Sequence, residues 1–409
     1  MKLIKQLLCK ILAGIAIGFS GGAVICVFRL LTAKCDNLLS QFIFPLLHSD
    51  SIVYPILWGA GLVVLAIIVS LIIHAEPAAR GGGIGHTVQE TNGGSDSRWW
   101  SVILAKITSA PICLLAGLSF GRTGPAIELG SMAGKGIGSK LPFPAEQITP
   151  SEMVYSGAAA GLAALFNAPF AGTLFALEKL HRSFDLSLIT ILVSSLSAAT
   201  VSIFAFGYNP IVSSSLPLTD PAIYVCLAVL GSILGILGHF YAFSLSFFRE
   251  KMEENDRLPE LLLWIIVFLT AGITGYFFPE LTGSGSGIIA VLSGPAPAFR
   301  TLLFLLVGKY LFSMISTGSG LPGGTVFPLL AVGACLGQLF GTILSFAGTT
   351  FLLPGMAGFF TSVMGLPCTG ILLLCEFSCR YENFFPLFLT CLFSYLTKRI
   401  ICLTTHKMK

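Results

Sequence analysis

Long apolar runs separated by short polar or Gly/Pro-rich stretches cover the chain almost end to end. A helix that crosses the hydrocarbon core of a bilayer needs about 20 predominantly apolar residues. Runs of that order fall near 11–33, 52–74, 99–120, 151–178, 186–206, 221–247, 259–277, 299–317, 326–346, 350–377 and 384–403. The pattern predicts an all-α membrane protein. Several runs are interrupted by Gly and Pro, at 81–85, 121–125, 167–169, 283–287, 320–328 and 365–367. Irregular backbone at membrane depth survives only inside protein or beside a watery cavity, so these breaks are the candidates for a functional site.

The breaks recur at matched spacings. Lys106 precedes Gly121 by 15 residues, and Lys309 precedes Gly324 by 15. Gly121, Pro125 and Gly130 repeat as Gly324, Pro328 and Gly333. Gly157, Pro169, Gly172 and Glu178 repeat as Gly355, Pro367, Gly370 and Glu376, and Gly81-x-Gly83-Ile84 is matched to Gly285-x-Gly287-Ile288. This is an internal repeat of roughly 200 residues. It predicts one integral membrane domain of two transmembrane repeats, 1–210 and 211–409. Gly/Pro-interrupted apolar segments at corresponding places in two halves point to a transport site.

Composition supports lipid as the solvent. The 409 residues are 55% hydrophobic and 10% charged, against about 25% charged in soluble domains. The net charge of +4 matters less than its placement. Lys2, Lys5 and Lys10 precede the first run, and Lys398, Arg399, Lys407 and Lys409 end the chain. The positive-inside tendency puts both termini in the cytoplasm, together with the basic residues Lys179, Arg182, Arg249 and Arg257. The stretch 207–221, without Lys or Arg, goes outside. The expected location is the plasma (inner) membrane, crossed many times. The eleven Cys show no CxxC and the six His no helical ligand pair, so no metal, cofactor or nucleic-acid partner is expected. An intramembrane hydrolase, the remote alternative, would need a nucleophile with a base or facing carboxylates. There is no HExxH or GxSxG.

The chemistry of the breaks favours anions. A helix that restarts at mid-membrane exposes up to four unpaired amides and a partial positive charge of about half an elementary charge. Several such ends aimed at one point attract an anion without a full positive charge, loosely enough to release it. Three segments fit: Gly81 with Gly82, Gly83 and Ile84; Gly121 with Arg122, Thr123, Gly124 and Pro125; and Gly324 with Thr325, Val326, Phe327 and Pro328.

At these residues the chain resembles the CLC family of chloride channels and chloride/proton antiporters. GGGIG at 81–85 stands where the family has GSGIP, and GRTGP at 121–125 where it has GREGP. GAAAGLAALFNAPFAGTLFALE at 157–178, SGLPGGTVFPLL at 319–330 and GMAGFFTSVMGLPCTGILLLCEF at 355–377 follow in the family's order. The resemblance implies a CLC-type inverted repeat of tilted and broken helices, and a homodimer whose subunits each hold an anion pathway. It implies that the amides of Arg122, Thr123 and Gly124 face an outer site, and that those of Thr325, Val326 and Phe327 help form a central one. Gly82, Gly83 and Ile84 stand at the remaining anion-binding stretch. Lys106 falls on a buried basic position that raises the local potential. No regulatory domain is expected after the last helix.

The departures set the functional expectation. The family's gating Glu is here Thr123, and the inner proton-handling Glu of the exchangers falls on Lys179, next to Glu178. The serine of GSGIP is Gly82, and the phenylalanine of GxFxP is Val326. A hydroxyl does not titrate near neutral pH and carries no charge into the pathway, but can donate a hydrogen bond to an anion. A passive pathway without proton coupling is therefore expected, with chloride as its ion. The alternative is a proton-coupled exchanger of chloride or fluoride using another acid such as Glu128. Glu128 lies five residues after Thr123, about 140° around the helix from its face.

Overall fold

A computed structural model describes residues 2–49, 51–141, 144, 147–181, 183–208, 210–212, 221–254, 258–295, 297–346 and 349–406. Most of the stretch expected outside, and Arg182, Arg257, Lys407 and Lys409, lie outside the described residues. The chain opens with α1 (Lys2–Leu38), continued by a π-helical turn and α2 (Phe44–Leu47), then α3 (Val53–Ala75) and the short α4 (Ile84–Thr91). Next come α5 (Trp99–Leu115), α6 (Thr123–Lys140), α7 (Pro150–Phe166), α8 (Pro169–Phe175) and α9 (Ser187–Phe206). The second half repeats this order: α10 (Pro221–Glu253), α11 (Glu260–Phe277), the short α12 (Ser286–Leu292), α13 (Phe299–Gly318), α14 (Val326–Ile343), α15 (Leu352–Met364), α16 (Pro367–Ser378) and α17 (Phe384–His406). Among the described residues, eight helical stretches are long and apolar enough to cross a membrane. The only β feature described is a single antiparallel bridge.

Two runs are divided where their Gly/Pro punctuation predicts. Asn167 ends α7 in the left-handed region at φ 55°, and Pro169 opens α8. Gly365 ends α15 at φ 73°, and Pro367 opens α16. A left-handed terminator followed by Pro in a first turn is a standard way to stop one helix and start another. One pairing of the sequence pattern needs correction. The glycines with matching left-handed φ are Gly81 and Gly83 in the first half (66° and 84°) and Gly283 and Gly285 in the second (64° and 91°). Gly83 caps α4 and Gly285 caps α12, so Gly81-x-Gly83 corresponds to Gly283-x-Gly285. The G-x-G-I text matched a glycine already inside α12.

Contacts group the residues into two compact units. The first comprises Met1–Tyr208, Asp256–Gly283 and Ser319–Thr325; the second comprises Asn209–Asn255, Ser284–Gly318 and Val326–Lys409. In the first, α6 and α7 cross closely. A Cβ on Gly130 would run into the Gly157 carbonyl, one on Gly157 into the Gly130 carbonyl, and one on Gly161 into the Ala126 carbonyl. Only glycine lets the backbones approach this far. In the second unit α14 and α15 repeat the device. A Cβ on Gly333 would meet the Gly355 carbonyl, and one on Gly355 the Gly333 carbonyl.

The first unit also carries a buried ion pair far from any break. Lys10 of α1 donates to both carboxylate oxygens of Glu152 on α7, at 2.6 and 2.8 Å, and the Thr190 hydroxyl of α9 donates to the same carboxylate at 2.6 Å. This explains how α1 reaches back past the predicted start of its apolar run. Its lysines need not all find water, because one finds a carboxylate inside.

Candidate anion site and its ionisable neighbours

Three glycine-rich breaks meet in the first unit. Gly81 donates its amide to the Gly320 carbonyl at 3.0 Å, and Gly323 donates to the Gly81 carbonyl at 3.4 Å. Gly121 and Gly324 exchange amide–carbonyl bonds of 2.6 and 2.8 Å, which form the antiparallel bridge. These two residues hold equivalent places in the sequence repeat. Gly124 lies directly against the Gly82 carbonyl, and a Cβ there would collide with it. At Gly82, Gly121, Gly124 and Gly324 backbone thus packs on backbone, while the Phe120 ring stands against Gly323.

Helix α6 opens out of this cluster. Its N-cap, Arg122, makes no capping side-chain bond; its guanidinium pairs instead with Asp36. The amides of Thr123 and Gly124 begin the helix and have no intrahelical acceptor, while Pro125 supplies none. Thr123 is 1% exposed. Its Oγ1 is buried and has no hydrogen-bond partner among the described residues. A buried hydroxyl without a partner is costly, and here it sits at the positive end of an 18-residue helix. Gly82, Gly83, Ile84, Arg122, Thr123, Gly124 and Thr325 all belong to this unit. Gly83 is the left-handed cap and Ile84 the first residue of α4. Val326 and Phe327 open α14 in the second unit, both buried, with the Phe327 ring 6.2 Å from that of Phe377.

Lys106 is fully buried on α5. Its ammonium donates to the carbonyls of Ala79 and Gly81 at 2.6 and 2.9 Å. It therefore holds the loop that delivers Gly81 to the cluster. Its charge is not free to raise the local potential alone, because Glu128 Oε2 stands 2.7 Å from Nζ, an ion pair whose angles fall short of a hydrogen bond. Glu128 is itself 0% exposed. It turns away from the Thr123 face, packing on Gly83.

The other carboxylate oxygen of Glu128 lies 2.7 Å from Nδ1 of His86 on α4. His86 Nε2 lies 3.0 Å from the Ser97 hydroxyl and 3.3 Å from Glu90 Oε1. Glu90 accepts from Lys135 of α6 at 2.7 Å, and Lys135 also reaches Asp96 at 2.8 Å. The Asp96 side chain is 97% exposed, and the hydrogen bond from Lys135 holds its carboxyl below the usual carboxylate range. Sequence reasoning named Glu128 and Lys106 but missed His86, Glu90 and Lys135. The signal was present, since His86 and Glu90 are four residues apart on one helix and Glu128 and Lys135 seven apart on another, spacings that share a face. Nothing in the sequence showed that the two faces meet.

Glu178 and Lys179 lie elsewhere, half-buried in the π-helical turn Ala176–His181 that continues α8. The repeat counterpart of Glu178, Glu376, sits in the uninterrupted helix α16 and is buried. The halves differ at Glu128 too. In the second unit a Cβ on Gly285 would meet Ala331 and the end of Lys309, so alanine occupies the place that Glu128 holds beside Gly83.

Residues 61–399 match the family model described as Voltage gated chloride channel. The chain belongs to that family. It is 30% identical over 356 residues to the H(+)/Cl(-) exchange transporter ClcA of Vibrio cholerae serotype O1, covering 82% of this chain and 75% of that one. Its fold resembles that of a slow cyanobacterial Cl-/H+ antiporter, with a TM-score of 0.83, 23% identity, and coverage of 97% of this chain and 94% of the other. It also resembles a CLC-type fluoride/proton antiporter, with a TM-score of 0.76, 22% identity and coverage of 97% and 96%. The protein is therefore a multi-pass membrane protein with the CLC fold, in a family of anion transporters rather than enzymes.

Proposed function

We propose that this protein passes small inorganic anions, chloride first, passively and without moving protons in a fixed ratio. The observation that carries this reading is the Thr123 hydroxyl, buried and unpartnered at the open end of α6. It can donate to an anion, cannot carry a charge, and cannot be displaced as a titrating carboxylate would be. The anion-binding residues are Gly82, Gly83, Ile84, Arg122, Thr123, Gly124, Thr325, Val326 and Phe327, the amides of Arg122, Thr123 and Gly124 serving an outer site and those of Thr325, Val326 and Phe327 helping to form a central one. Thr123 is the gate position. Lys179 stands at the inner position where the resemblance places the proton-handling glutamate of the exchangers. The working form is a homodimer with one pathway per subunit, each subunit built of repeats 1–210 and 211–409, with both termini in the cytoplasm.

A second reading has its own support. Glu128 is a buried acid hydrogen-bonded to a histidine, and the Vibrio relative is named as a proton/chloride exchanger. Flux from chloride-loaded liposomes, with external pH recorded, separates the two. Chloride efflux that requires an added potassium shunt and moves no protons is the expected result. Proton movement in fixed ratio to chloride would overturn the passive reading and leave the exchanger.

A further inference from the structure

The ionisable side chains around Glu128 form a continuous chain from the interior to water. In order they are Lys106 and Glu128, both 0% exposed; His86 and Glu90; Lys135; and Asp96, which faces solvent. Each adjacent pair lies within 3.3 Å. Two lysines stand against three carboxylates, so with His86 neutral the group carries one net negative charge, and one added proton balances it. His86 is the natural place for that proton. Its Nδ1 faces the Glu128 carboxylate and its Nε2 faces Glu90 and Ser97. An imidazolium can donate to both carboxylates, whereas a neutral ring satisfies only one. Histidine is also the side chain whose ordinary charge change falls between about pH 5 and 8.

The consequence lies at the inner end. With His86 neutral, Glu128 cancels Lys106. With the pair protonated, Glu128 is shared with an imidazolium and the positive charge of Lys106 acts on its surroundings. Lys106 holds the Gly81 carbonyl, and Gly81 is tied into the same backbone cluster as Gly121 and Gly324. We propose that the His86–Glu128 pair is a proton-binding site, filled from the Asp96 end, whose occupancy strengthens anion binding at the glycine cluster through Lys106. The proton binds and leaves on one side and does not cross with the anion. This proposal rests on the reading of that cluster as an anion site.

The other groups around the pair belong to the elements that pack on α4 and α6. Besides Lys106 on α5 and Lys140 at the end of α6, these are Glu152 and Tyr155 on α7, Glu178, Lys179 and His181 in the π-helical turn, and Lys2, Lys5, Lys10, Arg29, Lys34 and Asp36 on α1. Glu152 is neutralised by Lys10, Asp36 pairs with Arg122, and Tyr155 stacks on His181.

Linkage supplies the test. If protonation strengthens anion binding, anion binding must draw in protons by the same factor. Calorimetric titration of the purified full-length protein with sodium chloride, at pH 6.5 in two buffers of different ionisation enthalpy, reads that uptake. A fractional proton taken up per chloride is expected, with chloride affinity on the order of tenfold higher at pH 5.5 than at 7.5, as one added charge near the site would give. In His86→Gln both the uptake and the pH dependence should disappear while chloride still binds. In Glu128→Gln chloride should bind tightly at both pH values, since Lys106 is then uncompensated. Chloride binding with no proton uptake, or uptake that persists in His86→Gln, overturns the proposal and leaves the anion site standing. No chloride heat at either pH overturns both.

Discussion

Thr123 is where a single side chain decides most. Thr123→Glu places a carboxylate, ordinarily ionised above about pH 4.3, at the open end of α6, where it competes with anions for the same amides. Chloride flux should fall severalfold at pH 7.5 and recover as the solution is acidified, because protonation removes the competing charge. Thr123→Val keeps the shape and removes the donor. Its expected effect is a loss of about 1 kcal/mol of chloride binding, roughly a fivefold weaker affinity by calorimetry. Unchanged affinity in Thr123→Val would mean that the hydroxyl does not touch the ion. Residue identity at this position was legible because the break around it is ordered like the family's. Glu128 was legible only as a buried acid, and its partnership with His86 was not, because a cross-helix contact between two faces leaves no mark in either helix's own spacing.

At the level of helices, the shape of the protein is set by where side chains are missing. Gly130, Gly157 and Gly161 let α6 and α7 touch backbone to backbone. Gly157→Leu has nowhere to put its side chain and should lower the thermal midpoint in detergent sharply, by more than overpacking of about 1–3 kcal/mol in an adaptable core. A wild-type midpoint would show that the two helices can part. The Lys10–Glu152 pair allows a cleaner comparison. Lys10→Met leaves a buried carboxylate unpaired and should cost about 3–5 kcal/mol, whereas Lys10→Met with Glu152→Leu should recover most of the loss. The repeat of these elements was readable from the order of Lys, Gly, Pro and Glu, since each does a job that tolerates few substitutes. The pairing of Gly81 and Gly83 was misread by two residues because the text G-x-G-I occurs one step further on in the second half. What distinguishes the right glycines is a left-handed φ, a property of backbone that the letters do not carry.

On the scale of the molecule, the apolar exterior agrees with a chain meant for lipid. Exposed Leu, Ile, Val and Phe are spread along α1, α3, α10, α13 and α17. A homodimer is the expected working form, and chemical cross-linking of the protein in liposomes should give a two-chain product without higher species. Tags on the first and last residues should be protected or cleaved together when a protease is offered to one side of oriented vesicles. Opposite accessibility would contradict cytoplasmic termini.

The bridge between Gly121 and Gly324 bears on how the protein is made. Gly121 is synthesised some two hundred residues before its partner, yet the loop 319–325 completes the first compact unit rather than the second. Until the ribosome has passed that loop, the amide and carbonyl of Gly121 lack their bonds to the carbonyl and amide of Gly324, an unfavourable condition inside a bilayer. The first compact unit is therefore complete only once two segments of the second half, Asp256–Gly283 and Ser319–Thr325, have been made. Were the two halves expressed as separate polypeptides, the first would have to find the second in the membrane before its own compact unit could be completed.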